Sequence, residues 1–161
     1  MIRAVNNSDI PKICEIYNYY IINSIITFEE SVVSVDEITN RISEITSDFP
    51  WLVYEENGEI LGYSYASKWK GRCAYRYSVE STVYLSNSAT SKGIGSKLYE
   101  ELIKQLKQKS IHAIIGGIAL PNEKSVALHE KFGFQKVAHF KETGFKFNQW
   151  IDVGYWELIL G

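Results

Sequence analysis

The sequence predicts an α/β domain on a mixed β-sheet with helices on both faces, and three observations carry that prediction. First, Val83 to Leu106 passes from a β-branched and aromatic strand through a polar loop holding Gly93 and Gly95 into an amphipathic helix. Second, Trp51–Glu55 and Ile60–Ser67 flank Asn57-Gly58, a dipeptide that accepts positive φ at both positions and so favours a tight hairpin. Third, strand-like and helix-like periods follow one another as β-α-α-β-β-β-α-β-α-β-β, about seven strands in all. That order calls for a crossover helix between parallel strands.

Each element has a local reason. Ile2 to Val5 is a short first strand. Ser8 or Asp9 caps a helix with Pro11 in its first turn, and Ile10, Ile13, Ile16, Tyr17, Tyr20 and Ile21 form its apolar face. Asn23 to Val33 is less regular and carries Thr27 and Phe28. Ser34 and Glu37 have capping-box spacing and open a second helix to about Thr46, which Phe49-Pro50 ends. Lys68 to Cys73 reads as a loop and Ala74 to Leu85 as one long strand. In the third helix, Leu98, Tyr99, Leu102, Ile103 and Leu106 line one face, with Glu100 and Glu101 early and Lys104, Lys107 and Lys109 late, as the helix dipole favours. Ala113 to Leu120 is a buried strand in which Gly116-Gly117 permits close backbone approach. Asn122 to Lys131 is a short helix stopped by Gly133, and the strands Gln135–Lys146 and Gln149–Leu160 close the chain.

Composition narrows the classes of function. At 161 residues, 45 % hydrophobic and with four tryptophans, the chain has enough apolar surface for a single domain with a true core. A formal net charge of −2 gives no reason to expect nucleic acid or an anionic membrane as partner. Cys14 and Cys73 are too few for a disulfide framework, and no Cys/His cluster has zinc spacing. No leader and no membrane-length apolar run is recognisable, so a soluble, cytoplasmic, metal-free protein is expected.

Strand, glycine loop and helix together suit an anion, most naturally a pyrophosphate, although an ordinary turn before a helix has the same pattern. The nucleotide-triphosphate loop is absent, and the third glycine of a dinucleotide fingerprint is replaced by Leu98. On the strand before the loop, Glu80 shares a face with Arg76, Ser78, Thr82 and Tyr84, while Tyr77, Val79, Ser81, Val83 and Leu85 face the other way. By pattern alone Glu80 is either a solvated strand charge or a base, and His129 either a packed residue or an acid–base group.

Thr90-Ser91-Lys92-Gly93-Ile94-Gly95 resembles the Gln/Arg-x-x-Gly-x-Gly/Ala motif of the GNAT acetyltransferase superfamily, with Thr90 replacing Gln or Arg and Ser91 standing where relatives often have glycine. Further stretches are similar to the phosphinothricin N-acetyltransferase branch, which includes enzymes that acetylate methionine sulfoximine. They are Pro50-Trp51-Leu52-Val53, Trp69-Lys70-x-Arg72, Val79-Glu80-Ser81-Thr82-Val83-Tyr84, Leu120-Pro121-Asn122, Leu128-His129-Glu130 and Gly144-Phe145-Lys146 with Trp150-x-Asp152-Val153-Gly154-x-Trp156. They follow the family's order over nearly the whole chain.

The resemblance implies a GNAT-like fold, acetyl-CoA as co-substrate, a small amine-bearing acceptor, a role in herbicide or antibiotic resistance and a homodimer. It makes Glu80 the general base, acting directly or through water, and His129 a catalytic residue expected beside Glu80 in a proton relay of open direction. His112 and His139 stay structural. Backbone groups of Val83, Tyr84 and Leu85 are expected on the pantetheine arm, Ser91, Lys92, Gly93, Ile94, Gly95 and Ser96 on the pyrophosphate, and Asn122 on the cofactor between strands. For the acceptor, Phe28, Trp69 and Tyr75 are candidate walls and Arg72 or Arg76 the anion anchor. Arg76 and Glu80 would stand roughly 13 Å apart along one strand face. Transfer is expected to be direct, because neither Cys14 nor Cys73 has an identifiable base partner. Two rivals remain open: a different amine (polyamine, aminoglycoside or peptide), which Arg72 and Arg76 argue against, and a non-catalytic acyl-CoA-binding module.

Overall fold

A tight hairpin fixes the first part of the sheet. In the computed structural model, which describes all 161 residues, Asn57 and Gly58 take φ of 52° and 79° and join β2 (Trp51–Glu56) to β3 (Glu59–Lys68). With β1 (Ile2–Ala4), β4 (Ser78–Leu85), β5 (Ala113–Ala119), β6 (Gln135–Lys146) and β7 (Gln149–Ile159) they form a seven-stranded mixed sheet in the order β1-β2-β3-β4-β5-β7-β6. The helices are α1 (Ile10–Asn23), α2 (Val35–Thr46), α3 (Ile94–Gln108) and α4 (Glu123–Lys131). The order of elements is the predicted one.

The chain forms two compact units, the first made of Met1–Asn18, Val33–Ser67 and Ser81–Ser110, the second of Tyr19–Val32, Lys68–Glu80 and Ile111–Gly161. In the first, neighbouring residues of β3 show why helices cover both faces. A Cβ on Gly62 would meet Leu98 of α3 at 3.4 Å, whereas the Tyr63 ring lies 5.7 Å from Tyr84, itself 5.3 Å from Tyr17 of α1. Successive strand residues point to opposite faces, so α1 and α3 pack on opposite sides. The predicted face of α3 is the buried one: Leu98, Leu102 and Leu106 are all 0 % exposed.

Two boundaries differ from expectation. Asn6, not Ser8 or Asp9, is the cap: its side chain accepts from the Ser8 N–H while Asp9 reaches back to the Asn6 N–H, and a 3₁₀ turn, Asn7–Asp9, leads into α1. Helix α2 follows the predicted Ser34 cap, whose hydroxyl accepts from the Glu37 N–H at 3.1 Å. Strand β4 begins only at Ser78. Cys73–Tyr75 is a 3₁₀ turn closed by the Arg76 N–H on the Cys73 carbonyl at 3.1 Å.

In the second unit β4 pairs in parallel with β5 through Ser78↔Ala113, Val79↔Ile114 and Glu80↔Ile115. Antiparallel pairing of β5 with β7 sets Gly116 opposite Trp156 and Gly117 opposite Tyr155. Strand β6 pairs with β7 and slips register between Phe140 and Gly144, where Glu142 takes φ of 53°. Both cysteines are free, Cys14 buried and Cys73 exposed. No helix is long and apolar enough to cross a membrane.

Asp9 is only 4 % exposed, and Arg3 binds both its oxygens at 2.8 Å. Burial alone would raise the Asp9 pKa, but the Arg3 and Asn6 hydrogen bonds outweigh it and leave the pKa below its ordinary 3.8. A lowered folded pKa means stability that is fully present above 3.8 and lost as pH falls through the lower folded value. Asp9→Asn should therefore cost about 1–3 kcal/mol at neutral pH and remove part of the acid-range slope, read from urea midpoints between pH 2 and pH 7.

Candidate active site

Glu80 is the last residue of β4 to pair with β5, and strand alternation sets its environment. Val79 and Ser81 on either side are buried at 0 % and 7 % exposure, while Glu80 is half-buried on the opposite face. On that face β5 offers Gly117, which has no side chain to fill the space. A Cβ there would lie 3.6 Å from Glu80 Oε1 and 3.1 Å from the Tyr155 ring. Trp69 meets Tyr155 edge-on at 5.7 Å, and Lys70 holds its ammonium 4.8 Å from the centre of the Trp69 ring. Burial pushes the Glu80 pKa up, and the Lys70 charge partly opposes that rise. The Tyr155 hydroxyl is pushed up as well, by burial and then by the Glu80 charge.

His129 occupies the other face of β5. A Cβ on Gly116 would collide with its Nε2 and come within 2.7 Å of its Cδ2. Since Gly116 and Gly117 point to opposite sides of the strand, His129 and Glu80 lie against opposite faces of β5. The ring is 3 % exposed, and its Nδ1 lies 2.7 Å from the Ser125 carbonyl one turn earlier. A carbonyl can only accept, so Nδ1 carries the hydrogen and neutral His129 keeps its lone pair on Nε2. Burial lowers its pKa, although the Ser125 hydrogen bond works against that, so the ring is neutral at pH 7.

The arginines lie elsewhere than the long-strand reading put them. Because β4 starts at Ser78, Arg76 belongs to the preceding turn and does not share a strand face with Glu80. It donates to the Cys73 carbonyl at 3.0 Å and stacks 4.6 Å from the centre of the Tyr77 ring. Arg72 is the N-cap of that turn, is exposed, and its side chain makes no capping hydrogen bond. Tyr75 is 45 % and Phe28 41 % exposed, and Trp69 is half-buried. Lys70 and Tyr155, the groups that reach Glu80, were not among the expected site residues. Lys70 lay within the Trp69-Lys70-x-Arg72 stretch, whereas nothing in the sequence marked Tyr155.

The glycine loop lies in the first unit. Gly93 caps α3 in the left-handed region at φ 77°, no side chain caps the first turn, and a Cβ on Gly93 would meet nothing within 4 Å. Ser91, at φ 65°, takes a conformation that glycine adopts without strain. Open backbone N–H groups at a helix start suit a pyrophosphate. Ile94 and Gly95 are buried beneath exposed Ser91, Lys92 and Gly93, with Ser96 half-buried. Val83, Tyr84 and Leu85 are half-buried in β4. Asn122, in the second unit, spends its side-chain oxygen on the Ser125 N–H, capping α4. No three His, Cys, Asp or Glu side chains cluster as metal ligands.

Comparison with known proteins gives the family. A family model described as an acetyltransferase (GNAT) domain matches residues 2–154. The chain belongs to the GNAT acetyltransferase family. This acetyltransferase is 36 % identical over 156 residues to a phosphinothricin N-acetyltransferase of Streptomyces viridochromogenes, covering 97 % of this chain and 85 % of that one. It is 32 % identical over 163 residues to an L-methionine sulfoximine/L-methionine sulfone acetyltransferase of Salmonella typhimurium, covering 99 % and 94 %. The crystal structure of a phosphinothricin acetyltransferase from Sinorhizobium meliloti in complex with acetyl-CoA superposes with a TM-score of 0.97 at 36 % identity, covering 100 % of this chain and 88 % of that one. The chain is thus an N-acetyltransferase similar to the phosphinothricin and methionine sulfoximine enzymes.

The Glu80 environment is directly measurable. Lys70→Met removes the charge that holds the Glu80 pKa down and leaves its burial in place. Its titration midpoint, followed by carboxyl carbon NMR, should move to higher pH; an unmoved midpoint would show that the Lys70 charge does not reach Glu80.

Proposed function

We propose that this chain moves the acetyl group of acetyl-CoA directly to the α-amine of a small amino-acid analogue of the phosphinothricin or methionine sulfoximine/sulfone type, with Glu80 as general base. The observation that carries this reading is the half-buried Glu80 carboxylate, facing Gly117 and Tyr155 with the Lys70 charge in reach. An amino acid arrives as an ammonium and becomes a nucleophile only after losing a proton. A carboxylate whose pKa is raised by burial binds that proton more readily than a solvated one, and the Lys70 charge opposes part of that rise. Glu80 takes the proton directly or through one water, the amine attacks the thioester carbonyl to form the C–N bond, and the C–S bond breaks to release coenzyme A as a thiolate, which then takes up a proton. Bound acetyl-CoA supplies the activated thioester carbonyl, and in the first unit the Ser91–Ser96 turn suits its pyrophosphate and Val83, Tyr84 and Leu85 its pantetheine arm.

His129 serves on the opposite face of β5. While neutral it can accept a proton at Nε2 and cannot give one, which favours transfer toward the ring. Phe28, Trp69 and Tyr75 wall the acceptor, and its anionic end meets Arg72 together with Lys70, since Arg76 is engaged by the Cys73 carbonyl and Tyr77. Direct transfer is supported by the cysteines. Cys14 is buried with its thiol pKa raised by that burial, and its Sγ donates to the Val33 carbonyl at 3.4 Å. The chain acts as one acetyltransferase domain. Support for a homodimer comes from Phe145, Phe147 and Trp150, which expose 48 %, 50 % and 66 % of their surface.

Thiol release from acetyl-CoA against phosphinothricin, methionine sulfoximine, methionine sulfone, spermidine, an aminoglycoside and a short peptide tests the acceptor class, with turnover expected for the first three alone. Glu80→Gln should lower that turnover about 10²–10⁴-fold while acetyl-CoA still raises the melting temperature. Unchanged turnover would remove Glu80 from the mechanism.

A further inference from the structure

Lys146 is the deepest charged side chain in the protein. It is 1 % exposed, and lysine is rarely so fully buried without partners. Its Nζ donates to the Ser24 carbonyl and to the Thr27 carbonyl, each at 2.8 Å, more than a hundred residues away in sequence. Both acceptors lie in the irregular segment after α1, close to the Phe147 ring, whose centre is 5.0 Å from Nζ. Burial pulls the Lys146 pKa down, and the Glu30 and Glu29 charges on the same segment oppose that.

Two residues before Lys146, Gly144 lies just beyond the register slip of β6 and faces Ile151 across the pair. Phe28, next to Thr27, uses the space that a side chain at Gly144 would fill. A Cβ there would collide with the Phe28 ring, meeting Cε2 at 2.5 Å and Cε1 at 3.1 Å. The ring nevertheless remains 41 % exposed, so its far side is open. The β6–β7 hairpin thus grips residues 24–28 twice, by an ammonium on the backbone and by a glycine under the ring. The segment also makes short-range turn bonds, such as Ser24 Oγ to the Tyr20 carbonyl and the Glu29 N–H to Thr27 Oγ1.

We propose that Lys146 is a positioning residue for acceptor recognition, its ammonium fixing the Ser24–Thr27 backbone so that the Phe28 ring is held against Gly144 with one face presented to the acceptor. The proposal rests on the reading that Phe28 walls the acceptor site. A methionine at position 146 has the length and apolar character that the burial alone requires. What lysine adds is two charge-assisted bonds to the Ser24 and Thr27 carbonyls. A support for the fold alone would change stability and both substrates' kinetics together. A device that sets one aromatic ring acts on the acceptor and not on acetyl-CoA.

The test compares Lys146→Met, Lys146→Arg and Gly144→Ala with the parent enzyme, using methionine sulfone as acceptor. Lys146→Met should raise the acceptor KM about tenfold or more. The acetyl-CoA KM should stay within about twofold, and hydrogen exchange over residues 24–30 should accelerate. Lys146→Arg should recover part of the loss, and Gly144→Ala, which displaces the ring without touching the charge, should show the same split. In a Phe28→Ala background the Lys146→Met effect on acceptor KM should vanish. Equal rises in both KM values, additive effects with Phe28→Ala, or unchanged exchange over residues 24–30 would overturn the proposal. A Phe28→Ala variant with the parent's acceptor KM would instead refute the acceptor-wall reading, while hydrogen exchange still reports whether Lys146 holds the segment.

Discussion

Gly116 and Gly117, side by side in β5, are the constraint on which the site depends. A strand points successive side chains to opposite faces, so two adjacent glycines thin the sheet on both sides at one level. Each vacated position is used at once. His129 of α4 lies where a Gly116 side chain would be, and Tyr155 and Glu80 lie beside the space a Gly117 side chain would take, with Gly117 itself exposed. The β7 partners, Trp156 and Tyr155, hold the glycine pair in register from the other edge. A side chain at position 116 would have to drive the imidazole from its place, and one at position 117 would press the Tyr155 ring.

Two titratable groups with different environments result. On one face a half-buried carboxylate has its pKa raised by burial and restrained by the Lys70 charge. On the other, an imidazole with its Nδ1 hydrogen committed to the Ser125 carbonyl is kept neutral by burial. Trp69 serves both neighbours of Glu80: its edge meets Tyr155, and its face carries the Lys70 ammonium. One indole therefore contacts both the Tyr155 ring beside the carboxylate and the cation whose charge opposes the rise in its pKa.

Much of this was legible in the chain because its signals are local. Periodicity placed the α3 core, Asn57-Gly58 placed the hairpin and Ser34 the start of α2. The misplaced boundaries share a cause. Ser8 and Asp9 are good capping residues, but Asn6, two positions earlier, has the geometry that lets its side chain and Asp9 bond reciprocally. Ala74 to Tyr77 have strand-like character, yet a strand needs a partner. The β5 ladder begins at Ser78↔Ala113, so the four residues before it turn instead and carry Arg76 off the Glu80 face.

By itself the sequence determined the order of the elements, the glycine loop ahead of α3, the presence of Glu80 and His129, and membership in an acetyltransferase family. Those are properties of neighbours along the chain, where propensity, spacing and motif suffice. Only the tertiary structure decided which groups meet: that Glu80 and His129 lie against opposite faces of β5, that Lys70 and Tyr155 are the carboxylate's neighbours, and that Lys146 reaches Ser24 and Thr27 across the fold. Such contacts arise from strand register and close packing between distant segments, and no local pattern encodes the distance between them.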